Sequence, residues 1–106
     1  MLEKQVKDKV VGVLKKLQLE GVPLWYYMPV QTGLGRAGIP DFIVCVGGRF
    51  IAIETKRDHK AQLSARQTFE SKRIENAGGT YLVVRDDNYQ FLEGTLRNAA
   101  VALQRR

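Results

Sequence analysis

Two adjacent glycines, Gly47 and Gly48, stand between two runs of β-type residues, Asp41-Phe-Ile-Val-Cys-Val46 and Arg49-Phe-Ile-Ala-Ile-Glu-Thr-Lys56. A Gly-Gly pair supplies the left-handed backbone that a two-residue hairpin turn requires, so the two runs are expected to be antiparallel neighbours. The start of the first strand then lies beside the end of the second, which brings Asp41 next to Glu54. Side chains alternate along a strand, so Glu54 and Lys56 share one face with Ala52, while Ile51, Ile53 and Thr55 take the other.

Around this hairpin the remaining elements follow from periodicity. Between Leu2 and Glu20, Val6, Val10, Val13, Leu14 and Leu17 recur at spacings of three and four, with Lys4, Lys7, Lys15 and Lys16 on the other face. This predicts an amphipathic helix ended by Gly21 and Pro23. Leu24 to Met28 is short and aromatic, as a strand is, and the glycine-rich stretch from Gln31 to Gly38 is expected to be a loop. Ser64-Ala-Arg-Gln67 fits a capping box and opens a second helix running to Ala77, stopped by Gly78-Gly79. Thr80 to Arg85 is a fourth strand, and the helical crossover before it places it parallel to the strand ending at Lys56. Leu96, Ala99, Ala100 and Leu103 predict a C-terminal helix from about Thr95, with 86–94 ambiguous. The expected class is α/β, an α-β-β-β-α-β core with a mixed sheet flanked by helices plus the C-terminal helix, forming a single domain over residues 1–106.

Composition limits what such a domain can do. The 17 Lys and Arg against 11 Asp and Glu leave a net charge of +6 at pH 7, a field that attracts polyanions, nucleic acid above all. The single cysteine, Cys45, excludes an internal disulfide and any Cys-rich zinc site. Its apolar run predicts a buried, reduced thiol and favours a cytoplasmic compartment. The charged N-terminus and the absence of any long apolar stretch indicate neither export nor membrane insertion. Gly33-Leu-Gly-Arg-Ala-Gly38 matches the G-x-G-x-x-G dinucleotide fingerprint in letters only. Ile39-Pro40 follows at once and leads into a strand, where the fingerprint needs a helix, so no nucleotide cofactor is expected.

The chemistry concentrates at the open end of the hairpin. Two carboxylates a few ångströms apart repel unless a cation sits between them, and oxygen ligands with open positions suit Mg²⁺ or Mn²⁺. An ion so held can bind a phosphodiester and lower the pKa of a bound water. Lys56 could position that water or neutralise charge on the phosphorane.

Pro40-Asp41 with Glu54-Thr55-Lys56, thirteen residues on from Asp41 and across a hairpin, resembles the PD-(D/E)XK nuclease superfamily, of restriction-endonuclease-like fold. Residues 2 to 85, with Gly-Arg-Ala-Gly-Ile-Pro-Asp at 35–41 and Leu-Ser-Ala-Arg-Gln at 63–67, are similar to a stand-alone VRR-Nuc domain of the phage and bacterial kind. The resemblance implies metal-dependent DNA cleavage, with Asp41, Glu54 and the Thr55 main-chain carbonyl as metal ligands and Lys56 as the catalytic lysine. It also maps Glu3 onto the acidic residue of the first helix and Gln67 onto the glutamine of the helix after the motif. Each of these outer residues has a second reading. Glu3 falls on the inward face by spacing but equally suits the positive end of its helix, and Gln67 is the reciprocal partner of Ser64 in the capping box.

Arg36, Arg57, His59, Lys60 and Arg66 form a basic surface near the motif, expected to contact DNA backbone independently of sequence. Trp25, Tyr26 and Tyr27 are expected in the core or a subunit contact, ahead of base stacking. The resemblance extends to homodimeric resolvases of four-way (Holliday) junctions, and one site in so small a chain needs a second copy to cut two strands symmetrically.

Overall fold

The computed structural model describes residues 1–31 and 35–104, so Gly33 and Leu34 of the glycine string lie outside the described residues. The elements in chain order are α1 (Glu3–Leu19), β1 (Leu24–Tyr27), β2 (Phe42–Val46), β3 (Arg49–Thr55), α2 (Ala65–Asn76), β4 (Thr80–Val84) and α3 (Phe91–Gln104). The strands form one mixed sheet in the order β1-β2-β3-β4. The first two pairings are antiparallel and the last is parallel, as the α2 crossover requires.

The hairpin turn is built as its glycines demand. Gly47 has φ +58° and Gly48 φ +81°, the doubly left-handed conformation of a type I′ turn. Gly47 is needed for space as well, because a Cβ there would lie 2.7 Å from the Ala100 Cα. The turn is thereby seated on α3, and β2 and β3 run in register with Phe42 opposite Ile53 and Val46 opposite Arg49.

One face of the sheet carries Phe42, Val44, Val46, Ile51 and Ile53 into a core shared with Val6, Val10, Leu14 and Leu17 of α1 and Leu92, Leu96, Ala99 and Ala100 of α3. Burial of those apolar side chains is the main stabilising term. α3 begins four residues before the expected Thr95. The Asn88 side chain accepts from the Arg85 N–H at 2.6 Å and organises the preceding turn, so Leu92 joins Leu96 and Ala99 in the buried stripe. No helix among the described residues is long and apolar enough to cross a membrane.

The opposite face is covered unevenly. α2 packs against β4, while the β1 and β2 part stays open, with Trp25 59% and Tyr27 50% exposed and their rings stacked at 6.4 Å. Cys45 is on this side and exposed, not buried as its apolar run suggested. Alternation turns its neighbours Val44 and Val46 to the helices and Cys45 away from them, and no helix reaches that half of the sheet. Of the expected core or subunit-contact placement, Tyr26 takes the core, while Trp25 and Tyr27 lie outside it, where only the subunit contact is open to them.

Candidate active site

The register that pairs Phe42 with Ile53 puts the preceding residue, Asp41, opposite the following one, Glu54. Asp41 sits just before β2, where the sheet ends. Its Oδ2 accepts from the Thr55 N–H at 2.8 Å and from the Thr55 hydroxyl at 2.7 Å. Its Oδ1 lies 3.6 Å from Lys7 Nζ. Two donors on one oxygen hold the carboxylate in a single orientation, and Thr55, wholly buried, is a rigid post for it.

Glu54 is only 3% exposed. Its Oε2 accepts from Gln67 Nε2 at 3.2 Å, while its Oε1 is buried with no hydrogen-bond partner. Burial above all, then the negative Asp41 beside it, push the Glu54 carboxyl up to about 8, with Lys56 pulling the other way and Glu3 adding a little. A second orphaned polar atom belongs to this neighbourhood. Tyr81, opposite Ala52 in the parallel ladder, points to the Glu54 face, and its hydroxyl has no partner. Its pKa is raised by burial and then by the charges of Glu54 and Asp41. Orphaned buried polar atoms are costly, and their gathering here marks a place made for a ligand.

Gln67 completes the capping box and also touches Glu54. Its N–H donates to Ser64 Oγ at 3.1 Å and its Oε1 accepts from the Ser64 N–H at 2.9 Å, the full capping box, while the remaining amide nitrogen holds Glu54. The start of α2 is thus tied directly to the carboxylate. Lys56 follows β3, its N–H bonded to the Val84 carbonyl at 3.0 Å. Alternation places it with Glu54, whose titration it influences.

Glu3 is the first residue of α1 and is exposed, not inward. It lies at the site's end of the helix, close enough for its charge to reach Glu54. The inward position one turn later belongs to Lys7, which the lysine stripe had assigned to the outer face. Lys7 stands at the edge of the buried stripe set by Val6 and Val10, and its long side chain reaches Asp41.

The basic residues divide. Arg36 is engaged by Glu70 of α2, with Nε to Oε2 at 2.6 Å and an Nη2 donor to Oε1 at 2.7 Å, and the Glu70 side chain is 5% exposed. This bidentate pair, with Gly38 closed against the Arg66 backbone, locks the loop before Asp41 onto α2. Arg57, His59 and Lys60 are exposed in the turn after β3, where Asp58 Oδ1 accepts from the Lys60 and Ala61 N–H groups at 2.9 and 3.0 Å. Arg85 braces the turn by donating to the Asp58 and Ala61 carbonyls. Arg66 is exposed and lies over the Phe69 ring at 4.9 Å.

No group of three or more His, Cys, Asp or Glu side chains is preassembled for a metal among the described residues. The donor set nevertheless fits a magnesium-like ion, which takes one or two carboxylates and completes its shell with water and phosphate oxygens. Asp41 and Glu54 are hard oxygen donors, and no donor satisfies the buried Glu54 Oε1.

Sequence reasoning missed Lys7 and Tyr81. Lys7 was within reach of helical spacing, since it is four residues after Glu3, and Tyr81 only of a register between distant strands.

No protein-family model and no curated protein sequence matches the chain. Four solved chains do. One described as "VRR_NUC domain" has a TM-score of 0.64 at 21% identity, over 88% of this chain and 96% of that one. Another, "VRR_NUC domain protein", has a TM-score of 0.75 at 18% identity, over 96% of this chain and 90% of that one. The chain has the fold of the VRR_NUC domain.

Proposed function

We propose that this protein is a Mg²⁺- or Mn²⁺-dependent endodeoxyribonuclease that acts on branched DNA, four-way junctions above all, as a homodimer in the cytoplasm. The observation that supports it is the opposed pair of Asp41 and Glu54 at one sheet end, with Glu54 Oε1 buried and unpartnered. Asp41, Glu54 and the Thr55 carbonyl would hold the ion. When bound, the ion lowers the pKa of a water and offsets charge on the phosphate.

The chain's own residues supply the rest. Asp41 is oriented by Thr55, and Glu54 by Gln67, so each side chain is held in one place for the ion. Water adds to phosphorus and gives up one proton to solvent, the bond to the leaving sugar oxygen breaks, and that oxygen takes a proton from solvent. The Lys56 ammonium offsets the charge gathering on the non-bridging oxygens. Arg57, His59, Lys60 and Arg66 lie on the surface beside the site, where backbone contacts position DNA without reading sequence. Junction preference and pairing of two copies rest on the family resemblance read from the sequence motifs and on the need for two sites to cut two strands.

Cleavage of labelled four-way junction, flap and duplex DNA, with Mn²⁺ or EDTA, tests this reading. Wild type is expected to cut junctions in Mn²⁺ only, and Asp41→Asn to lose at least about a hundredfold in rate. Binding without cleavage in any divalent metal would leave a non-cleaving DNA-binding module, and equal cutting of all forms would remove the junction preference alone. Sedimentation at micromolar concentration checks the dimer.

A further inference from the structure

The face of the sheet that carries Glu54 does not end at the active site. Alternation continues it through Ala52 to Phe50 on β3, through Ile43 to Cys45 on β2, and across to Tyr27 and Trp25 on β1, paired with Ile43 and Cys45. Between this open half and α2 lies a cavity of about 770 Å³, with Ile43, Phe50, Pro40 and Ile74 among its lining and Arg49 and Arg73 at its margin. That volume falls in the range of sites for small organic molecules, roughly 300–1,000 Å³.

We propose that this groove takes an unpaired nucleotide of the DNA substrate, its base against Phe50 and its phosphates toward Arg49 and Arg73. The inference rests on the nuclease reading and names the feature of the DNA which that site would prefer. The chemistry of the lining selects the occupant. A paired duplex shows a protein phosphates and base edges, whereas an apolar concavity needs the flat face that only an unstacked base presents. Phe50 is 43% exposed, a large aromatic ring left open on the sheet. Arg49 and Arg73 are exposed and have no carboxylate partner among the described residues, while the acid within the groove, Glu70, is already taken by Arg36.

That charge distribution suits an anion and opposes a second copy, since a twofold contact here would bring arginines against arginines. Phe50 stands four residues from Glu54 on the same face, about 13 Å along the strand. A strand with its scissile phosphate at the carboxylates therefore reaches the groove within a few nucleotides. Pro40 and Ile43, one residue before Asp41 and two after it, belong to the cavity wall, which sets the groove beside the site.

The test uses a DNA hairpin with one unpaired 2-aminopurine and its fully paired counterpart, bound by the full chain in EDTA. The unpaired form is expected to bind about tenfold tighter, the size of one base stacked on an aromatic ring, with a change in 2-aminopurine fluorescence. Phe50→Ala, at a half-exposed position, should abolish the preference and leave binding of the paired hairpin unchanged, while Arg49→Ala should reduce it. Equal binding of the two hairpins overturns the proposal, as does a Phe50→Ala variant that weakens both equally. A variant that shifts sedimentation to a smaller species and keeps the preference also overturns it, and assigns the face to self-association. Cleavage of the same hairpins in Mn²⁺ separates the two readings. A preference without cleavage defeats the nuclease alone, and cleavage without preference defeats the groove alone.

Discussion

Glu54 and Lys7 show how single residues set the behaviour of the site. In the metal-free protein the Glu54 carboxyl keeps its proton up to a pH of about 8, against an ordinary value of 4.5. Between those values the folded chain holds a proton that the unfolded chain releases, so this residue's contribution to stability is complete below about pH 4.5 and is lost as pH rises through 8. Urea unfolding in EDTA should therefore show stability falling by on the order of a few kcal/mol from pH 5 to pH 9, and Glu54→Gln should flatten the slope. Lys7 acts in the opposite sense, as a cation 3.6 Å from Asp41 that competes with any metal for the same charge. Lys7→Met should tighten Mn²⁺ binding, measured by calorimetry without DNA, by about threefold to tenfold, the range of a partly exposed charge at this distance. Unchanged affinity would show that Lys7 exerts no hold on the ion.

At the scale of elements, the hairpin and the α2 cap carry the site. The turn presets the register, and the register alone brings Asp41 opposite Glu54, so damage to the turn would separate the two carboxylates at a distance. Gly47→Ala combines a left-handed backbone with a Cβ 2.7 Å from Ala100, and should cost about 2 kcal/mol or more in denaturant unfolding. The capping box likewise does two things, because one glutamine caps α2 and holds Glu54. Its letters were legible in the sequence; the third hydrogen bond was not, since it depends on α2 packing across from β3. α3 shows the opposite case, a helix whose first turn was hidden because Asn88 organises the chain before any periodic pattern begins.

The whole molecule presents a net charge of +6, unevenly used. Asp41 and Glu54 would be neutralised by the ion, and Glu70 already is by Arg36, so the surface that would face DNA under the proposed function is more basic than the total suggests. If Arg57 and Lys60 each contact a phosphate, the slope of log affinity against log salt should fall by about 0.9 for each charge removed. Arg57→Ala and Lys60→Ala, followed by anisotropy of labelled DNA over a salt series, check this. Charge at positions that do not touch DNA, such as Lys15 on the outer face of α1, should leave the slope unaltered. The sequence by itself determined the hairpin, its alternation and the helix cap, and with them the meeting of Asp41 and Glu54. These follow from backbone dihedrals and periods that act over a few residues. Only the tertiary structure decided that Cys45, Trp25 and Tyr27 stand on an open face, that Lys7 reaches Asp41, and that Tyr81 shares the site. Those outcomes depend on which sheet face the distant helices α1, α2 and α3 cover, and no local period encodes where a helix docks.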